Sequence, residues 1–176
     1  RDRSLDVVKA VIHPAANVRN CDKQTLLHIA ATGNSEVVTY LLDNGFDPDA
    51  LDGGGNVPLH YAKSAAIAAL LLTEKAIATK NKKGYYPINT CRSINVLSVL
   101  PALVERSCDD AKNTKNKHGF TPLDVMCSKG KFDFVEKLIT KENVAGSIYA
   151  MRQALEHGAS QEVIKLLYHK ETHYGN

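Results

Sequence analysis

The stretch Asn116-Lys117-His118-Gly119-Phe120-Thr121-Pro122-Leu123-Asp124 decides the fold, because its pattern occurs four times in the chain. With x for any residue, the pattern reads D/N-x-x-G-x-T-P-L-H. The other copies occupy residues 20–28, 52–60 and 81–89. Positions 25, 57, 86 and 121, which correspond to the Thr of the pattern, are 32, 29 and 35 residues apart. Self-similarity at such a period indicates a repeat protein.

Each part of the pattern has a physical role in starting a helix. Gly55, Gly84 and Gly119 can take the positive φ that a tight turn requires. The Thr position is where a helix N-cap belongs, and a proline at the first helical position loses no hydrogen bond. Every copy therefore predicts a turn followed by a helix start. The motif residues expected to have structural roles are Thr25, His28, Pro58, His60, Pro87, Thr121 and Pro122.

Four copies near a period of about 33 residues make the chain resemble the ankyrin repeat family. The resemblance implies an all-α solenoid of stacked antiparallel helix pairs with β-hairpin or turn fingers, whose core forms between neighbouring repeats. It also implies that His28 and His60 are buried hydrogen-bonding residues that tie neighbouring turns together. We predict a single ankyrin-repeat domain over residues 1–176. It comprises a partial N-terminal repeat at 1–19, four repeats at 20–51, 52–80, 81–115 and 116–144, and a C-terminal capping helix pair at 145–176.

The two ends of the chain depart from a complete repeat. Residues 4–12 carry an apolar stripe at helical spacing, like residues 35–42, for which Ser35 is the expected N-cap. The chain is therefore expected to open on the second helix of a repeat and, with Arg at position 1, to be a piece of a longer protein. At the other end, residues 148–157 and 160–169 predict a helix pair without a preceding copy of the motif.

Three irregular segments lie between these ends. The consecutive glycines 53–55 predict a turn that is floppier than its neighbours. Pro101 is compatible with a short outer helix from about Val99 to Arg106, capped by Ser98, because the first turn of a helix has no N–H bonds to lose. The polar connection 107–115 predicts a projecting loop.

Composition and cysteine spacing exclude several classes of protein. The 176 residues are 44% hydrophobic and 23% charged, without a membrane-length apolar run or a secretion signal. A net charge of +3 is too mild to call for nucleic acid. The four cysteines lack metal-site spacing, and the family pattern has small residues where Cys91 and Cys127 stand, so we expect both to pack between helices. Unpaired cysteines favour a reducing compartment, and the ankyrin resemblance implies the cytosol or nucleus of a eukaryotic cell.

The resemblance implies protein binding through the fingertips and the concave face. The candidate partner-binding residues are Asp22, Gln24, Asn56, Lys82, Lys83, Tyr85, Lys117, His118 and Phe120. The last two fingers combine cations with the equivalent aromatic residues Tyr85 and Phe120, which stacking is expected to bring to the same edge. An acidic protein surface or peptide would fit such an edge. The alternative interpretation is that the lysines are solvated and the rings pack over the helix starts.

An enzyme is the competing class, and the sequence does not support it. Nucleophile elbows, zinc-protease helices, phosphate loops and dinucleotide fingerprints are absent from the 176 residues. We therefore predict no catalytic residues, no cofactor and no metal. The chain could still be the substrate-targeting arm of a larger enzyme or of a host-directed bacterial or viral effector, which would work in the host cell. Nucleotide or nucleic-acid binding is a weaker alternative, membrane insertion is not expected, and a monomer is the default oligomeric state.

Overall fold

The computed structural model describes residues 18–90, 100–144 and 148–173, together with Asp6. The chain divides into two compact units, Arg1–Val99 and Leu100–Asn176, and the division falls inside the predicted third repeat. The predicted repeat boundaries stay a prediction. Three expectations concern positions outside the described residues: the helix at 4–12, the packing of Cys91, and the cap at Ser98.

The first unit is built from short inner elements and longer outer helices. There are three inner elements, and each contacts the next: α1 (Leu26–Ala30), a 3-10 helix (Pro58–Tyr61) and α5 (Pro87–Thr90). The two outer helices, α2 (Ser35–Asp43) and α3 (Ala65–Leu70), contact each other. A further helix, α4 (Glu74–Ala78), leads into the third turn. Leu27, Val38, Leu41 and Leu59 are fully buried in this core. The first unit therefore has the stacked helix pairs of an all-α repeat solenoid.

Side-chain caps set where the outer helices of the first unit begin. The carboxamide oxygen of Asn34 accepts a hydrogen bond from the N–H of Val37 at 3.0 Å, and Ser64 caps α3 in the same way through Ile67. The expectation that Ser35 is the N-cap of α2 is wrong by one residue, because Asn34 reaches the same N–H and Ser35 is already helical. Helix α2 ends at Asp43, and Gly45, two residues beyond, has the positive φ of +78° that is typical of the residue after a helix C-cap.

The second unit contains eight short helices within its described residues. They are α6 (Leu100–Arg106), α7 (Asp109–Asn113), α8 (Pro122–Cys127), a 3-10 helix (Phe132–Phe134), α9 (Val135–Leu138), α10 (Lys141–Val144), α11 (Ile148–Glu156) and α12 (Gln161–His173). Helix α11 packs on α8 and on α12, and its Ala150 and Ala154 are fully buried. The helix pair predicted at 148–157 and 160–169 is therefore present, and α6 ends at Arg106, as predicted.

One local prediction in the second unit is wrong. The projecting loop predicted at 107–115 contains helix α7, because Ala111 is fully buried and Asp109 and Asp110 stand in the first turn, where the helix dipole favours negative charge. Of the two finger conformations expected, β-hairpins or turns, the described residues form turns, and none of them belongs to a strand.

Cys127 lies in the core of the second unit, as predicted. Its side chain is fully buried, and this burial together with the nearby Asp124 raises the pKa of the thiol to about 12. A thiol with this pKa is protonated at neutral pH and packs as a small apolar group.

Candidate functional site

The four motif copies fold into similar turns, which we call fingers 1 (18–24), 2 (51–56), 3 (79–85) and 4 (114–120). Each finger is organised by the Asn or Asp that opens the motif. The side-chain Oδ1 of this residue accepts the backbone N–H groups two and four residues later, at 2.8 to 3.2 Å. The four organising residues are Asn20, Asp52, Asn81 and Asn116. Sequence reasoning gave them no role, although their recurrence at the first motif position was the available signal.

Finger 2 is joined directly to finger 1 through a glycine. The N–H of Gly53 donates to the carbonyl of Asp22 at 2.7 Å. A Cβ atom added at Gly53 would lie 2.8 Å from that carbonyl oxygen, closer than real Cβ contacts allow. Only glycine therefore permits the two backbones to approach this closely.

Finger 3 is joined to finger 2 by three hydrogen bonds. The backbone N–H of Lys82 donates to the carbonyl of Gly54 at 2.9 Å, and the Lys82 ammonium group donates to the carbonyl of Gly53 at 2.7 Å. The side chain of Asn81 also donates to that of Asn56 at 2.8 Å. Because all three glycine N–H groups of finger 2 are hydrogen-bonded, the prediction of a floppy turn at 53–55 is wrong.

Two histidines tie the same fingers together from inside. The Nδ1 atom of His28 accepts the N–H of Thr25 at 3.1 Å, so its Nε2 carries the proton and donates to the carbonyl of Asn56 at 3.0 Å. His60 does the same between the N–H of Val57, at 3.2 Å, and the carbonyl of Tyr85, at 3.1 Å. Each neutral ring caps its own helix and holds the next finger.

The third and fourth motif copies keep the cap but have other residues in place of His. Asn89 accepts the N–H of Tyr86 at 2.9 Å, and a carboxylate oxygen of Asp124 accepts the N–H of Thr121 at 2.9 Å. An ionised carboxylate can only accept hydrogen bonds, so Asp124 cannot donate to a further carbonyl as the histidines do.

A buried carboxylate completes the polar interior of the first unit. Asp52 accepts the Tyr61 hydroxyl at 2.6 Å and the side-chain amide of Asn56 at 3.0 Å. Burial alone would raise the pKa of Asp52, but the hydrogen bonds from Tyr61, Asn56 and Gly54 outweigh it and hold the pKa below its ordinary value of 3.8. The charged Asp52 therefore fixes finger 2 to the helix that follows it.

The two histidine ties predict an acid-labile first unit. Burial lowers the pKa of His28 and of His60 below the ordinary 6.5, against the opposing effects of their carbonyl partners and of Asp52. Below pH 6.5 the unfolded chain therefore binds more protons than the folded one. The contribution of the two histidines to the folding free energy is complete above pH 6.5, and it is lost as the pH falls through the pKa values of His28 and His60 in the folded chain. We expect the melting temperature to fall below pH 6.5, and to fall less steeply in a His28→Gln, His60→Gln double variant. Equal slopes for the two proteins would contradict this assignment.

The predicted partner-binding residues differ in how available they are. Asp22, Lys82, Lys83, Lys117 and His118 are exposed, whereas Gln24, Asn56, Tyr85 and Phe120 are half-buried. Asn56 and Lys82 hold fingers 2 and 3 together, and the Phe120 ring stacks on Tyr149 with the centroids 4.7 Å apart. Among the described residues, the ammonium group of Lys83 makes no hydrogen bond or ion pair. Fingers 3 and 4 belong to different units, and their common edge stays a prediction.

Charge is unevenly distributed in the described part of the first unit. Five of its seven Lys and Arg residues lie in the fingers: Arg19, Lys23, Lys80, Lys82 and Lys83. Of the seven Asp and Glu residues within 18–90, five lie in α2 or in segments 44–50 and 71–78: Glu36, Asp43, Asp47, Asp49 and Glu74. Apart from Asp22 and the buried Asp52, the fingers thus present positive charge.

The described ranges contain neither a metal-binding cluster nor a membrane-spanning helix. No group of three or more His, Cys, Asp or Glu side chains there is arranged to hold a metal ion. None of the helices described combines the length and apolar character needed to cross a bilayer.

Comparison with known proteins gives a consistent family. A family model described as ankyrin repeats, in three copies, matches residues 1–83. The chain is 30% identical over 161 residues to the ankyrin repeat protein nuc-2 of Neurospora crassa, covering 86% of this chain and 14% of that protein. It is 33% identical over 145 residues to the B-cell lymphoma 3 protein homolog of Mus musculus, covering 76% of this chain and 32% of the relative. An ankyrin repeat-containing protein of Schizosaccharomyces pombe is 28% identical over 114 residues, covering 62% of this chain and 53% of that protein.

Proposed function

Because this chain belongs to the ankyrin repeat family, we propose that it is a protein-binding module whose partner contacts the exposed fingers. Ankyrin repeats are generally protein-interaction modules and are typically non-catalytic. We choose the fingers as the binding surface because of one observation. Hydrogen bonds join the three fingers of the first unit into one structure, so their backbone is already ordered before a partner binds. A preorganised surface loses less conformational entropy on binding, which favours affinity.

We infer that the partner presents an acidic surface or peptide. Lys83 supports this inference in finger 3, where the half-buried Tyr85 lies two residues away. Lys117 is its counterpart in finger 4, next to His118. Cations beside aromatic residues are typical of binding hot spots, and complementary charge favours both specificity and rapid association. A cytosolic or nuclear location in a eukaryotic cell is part of the proposal, since the relatives described above are eukaryotic.

Charge reversal in the fingers tests the proposal. The Lys83→Glu, Lys117→Glu variant should bind its partner at least about tenfold more weakly, because juxtaposed like charges cost several kcal/mol and each 1.4 kcal/mol is about tenfold in affinity. Partners would be captured from a eukaryotic cell lysate, identified by mass spectrometry, and the purified partner's affinity then measured at two salt concentrations. Neither lysine joins one finger to another, so the fold should persist.

The matched control carries the same charge change elsewhere. Lys75 and Lys129 are exposed but lie in α4 and in the turn after α8. The Lys75→Glu, Lys129→Glu variant should bind like the wild type. Equal binding by all three proteins, or capture of no protein by the wild type, would count against the proposed surface.

A further inference from the structure

Two aromatic rings meet at the surface of the second unit. The rings of Phe120 in finger 4 and Tyr149 in α11 are stacked, with their centroids 4.7 Å apart and their planes inclined by 29°. No copy of the motif precedes α11, and the first turn of α11 meets finger 4 through this contact. Stacked aromatic pairs attract each other beyond the area they bury, so the pair holds the Tyr149 ring in one orientation.

This pair leaves apolar surface open to solvent. Tyr149 is 39% exposed, and Ile148, which opens α11, is 77% exposed, whereas Ala150 and Ala154 bury the opposite side of the helix. Among the described residues, the Tyr149 hydroxyl makes no hydrogen bond. A tyrosine held in one orientation offers a partner a large contact area at a low cost in conformational entropy, and tyrosines are enriched among binding hot spots.

The charge beside the two rings is positive. Lys115, Lys117 and His118 are exposed in finger 4, which contains no acidic residue. The two charged side chains of α11, Arg152 and Glu156, form an ion pair at 2.8 Å, so their charges offset each other. Complementary charge favours an acidic partner at this place, and a basic partner would be repelled.

We propose that Phe120 and Tyr149 form an aromatic anchor site, which binds an aromatic side chain of an acidic peptide segment while the lysines of finger 4 bind the flanking carboxylates. The inference rests on the proposed function, in which the fingers contact an acidic partner, and it adds that this partner carries a ring among its acidic residues. Contact with the exposed Tyr149 ring removes apolar surface of both molecules from water, which supplies affinity. The Tyr149 hydroxyl can donate a hydrogen bond to a carboxylate beside the bound ring.

A pair of acidic peptides isolates the contribution of the partner's ring. Both consist of glutamates, which are charged at about pH 7 because their ordinary pKa is about 4.3. One peptide carries phenylalanine at its central position, and the other carries alanine there. In titrations of the isotope-labelled chain followed by NMR, the phenylalanine peptide should bind about tenfold more tightly. The ring-proton signals of Tyr149 and Phe120 should shift strongly with the phenylalanine peptide alone, because an aromatic ring shifts only protons close to it.

Three substitutions locate the preference for the ring. Tyr149→Ala should reduce the preference for the phenylalanine peptide to less than about twofold. The matched control is Tyr168→Ala, which removes a ring of α12 that is 54% exposed and should leave the preference at about tenfold. Ile148→Gln changes a side chain that is 77% exposed and leaves the ring stack intact, so it keeps the test valid if Tyr149→Ala perturbs the fold. It should lower the preference to about threefold.

The outcomes separate the aromatic anchor site from the proposed function. Equal affinity of the wild type for the two peptides would overturn the aromatic anchor site and leave the acidic partner standing. Binding of neither peptide would overturn both. A wild-type dimer that Tyr149→Ala converts to a monomer in analytical ultracentrifugation would show that a second copy covers these rings, and this result would also overturn the inference.

Discussion

Replacement of Gly53 by alanine is expected to lower the free energy of unfolding of the first unit by about 2–4 kcal/mol. The added methyl group would lie 2.8 Å from the Asp22 carbonyl oxygen, a backbone atom that can move away only if finger 1 moves. The resulting shift would also break the 2.7 Å hydrogen bond between the Gly53 N–H and that carbonyl. Denaturant unfolding followed by circular dichroism would measure the loss.

Gly33 provides the matched control for this substitution. A Cβ atom at Gly33 would meet nothing within 4 Å, and its φ lies outside the left-handed region. Gly33→Ala should therefore be neutral or should stabilise the chain by up to about 1 kcal/mol, through the lower entropy of the unfolded state. Equal stability of the Gly53→Ala and Gly33→Ala proteins would show that fingers 1 and 2 are not in close contact.

Replacement of His60 by alanine is expected to cost about 2–4 kcal/mol. The substitution removes hydrogen bonds to the Val57 N–H and to the Tyr85 carbonyl, and leaves the space of an imidazole that was 7% exposed. An unpartnered buried N–H group and a new cavity are both among the recognised causes of large destabilisation. Thermal and denaturant unfolding should both report the loss.

Replacement of an exposed histidine is the control, because it also removes an imidazole but no contact with a finger. His157 is exposed in the turn that follows α11. His157→Ala should change the unfolding free energy by no more than about 0.5 kcal/mol. If the His60→Ala protein were as stable as the His157→Ala protein, the hydrogen bonds of His60 would not hold finger 3.

The helix starts could be predicted from sequence because their causes are local. Thr121 accepts the N–H of Asp124 at 3.3 Å, and Pro122 follows at the first helical position. A cap depends on residues within one turn of the helix, so the nine residues of the motif are enough to predict where the helix begins. The shift from Ser35 to Asn34 shows the limit of such reasoning, since two neighbouring residues can both cap.

The histidine contacts between fingers were expected from the family resemblance, but the close backbone contacts between fingers could not be predicted from the motif. The need for glycine at 53 arises from the distance to Asp22, which is 31 positions earlier in the sequence. For the same reason, a row of three glycines was interpreted as flexible although neighbouring fingers fix it. Helix α7 was missed because its polar sequence hides one buried residue, Ala111.

The candidate binding residues show why a position in a turn does not establish exposure. Lys82 and Lys83 are adjacent and both exposed, yet the ammonium group of Lys82 is bound to the Gly53 carbonyl. Phe120 occupies the motif position of Tyr85, but its ring stacks on Tyr149 from a helix outside the motif. Sequence identifies the finger, whereas the neighbouring elements decide which side chains remain available to a partner.

Native-state hydrogen exchange of the Gly53 and Lys82 amides tests the central claim most directly. These two N–H groups join finger 2 to finger 1 and finger 3 to finger 2, at 2.7 and 2.9 Å. If the three fingers form one structure, both amides should be protected like the amides of α2, and both should lose protection in the Gly53→Ala variant. Rapid exchange of either amide in the wild type, at the rate of an open turn, would contradict the claim that the three fingers form one structure.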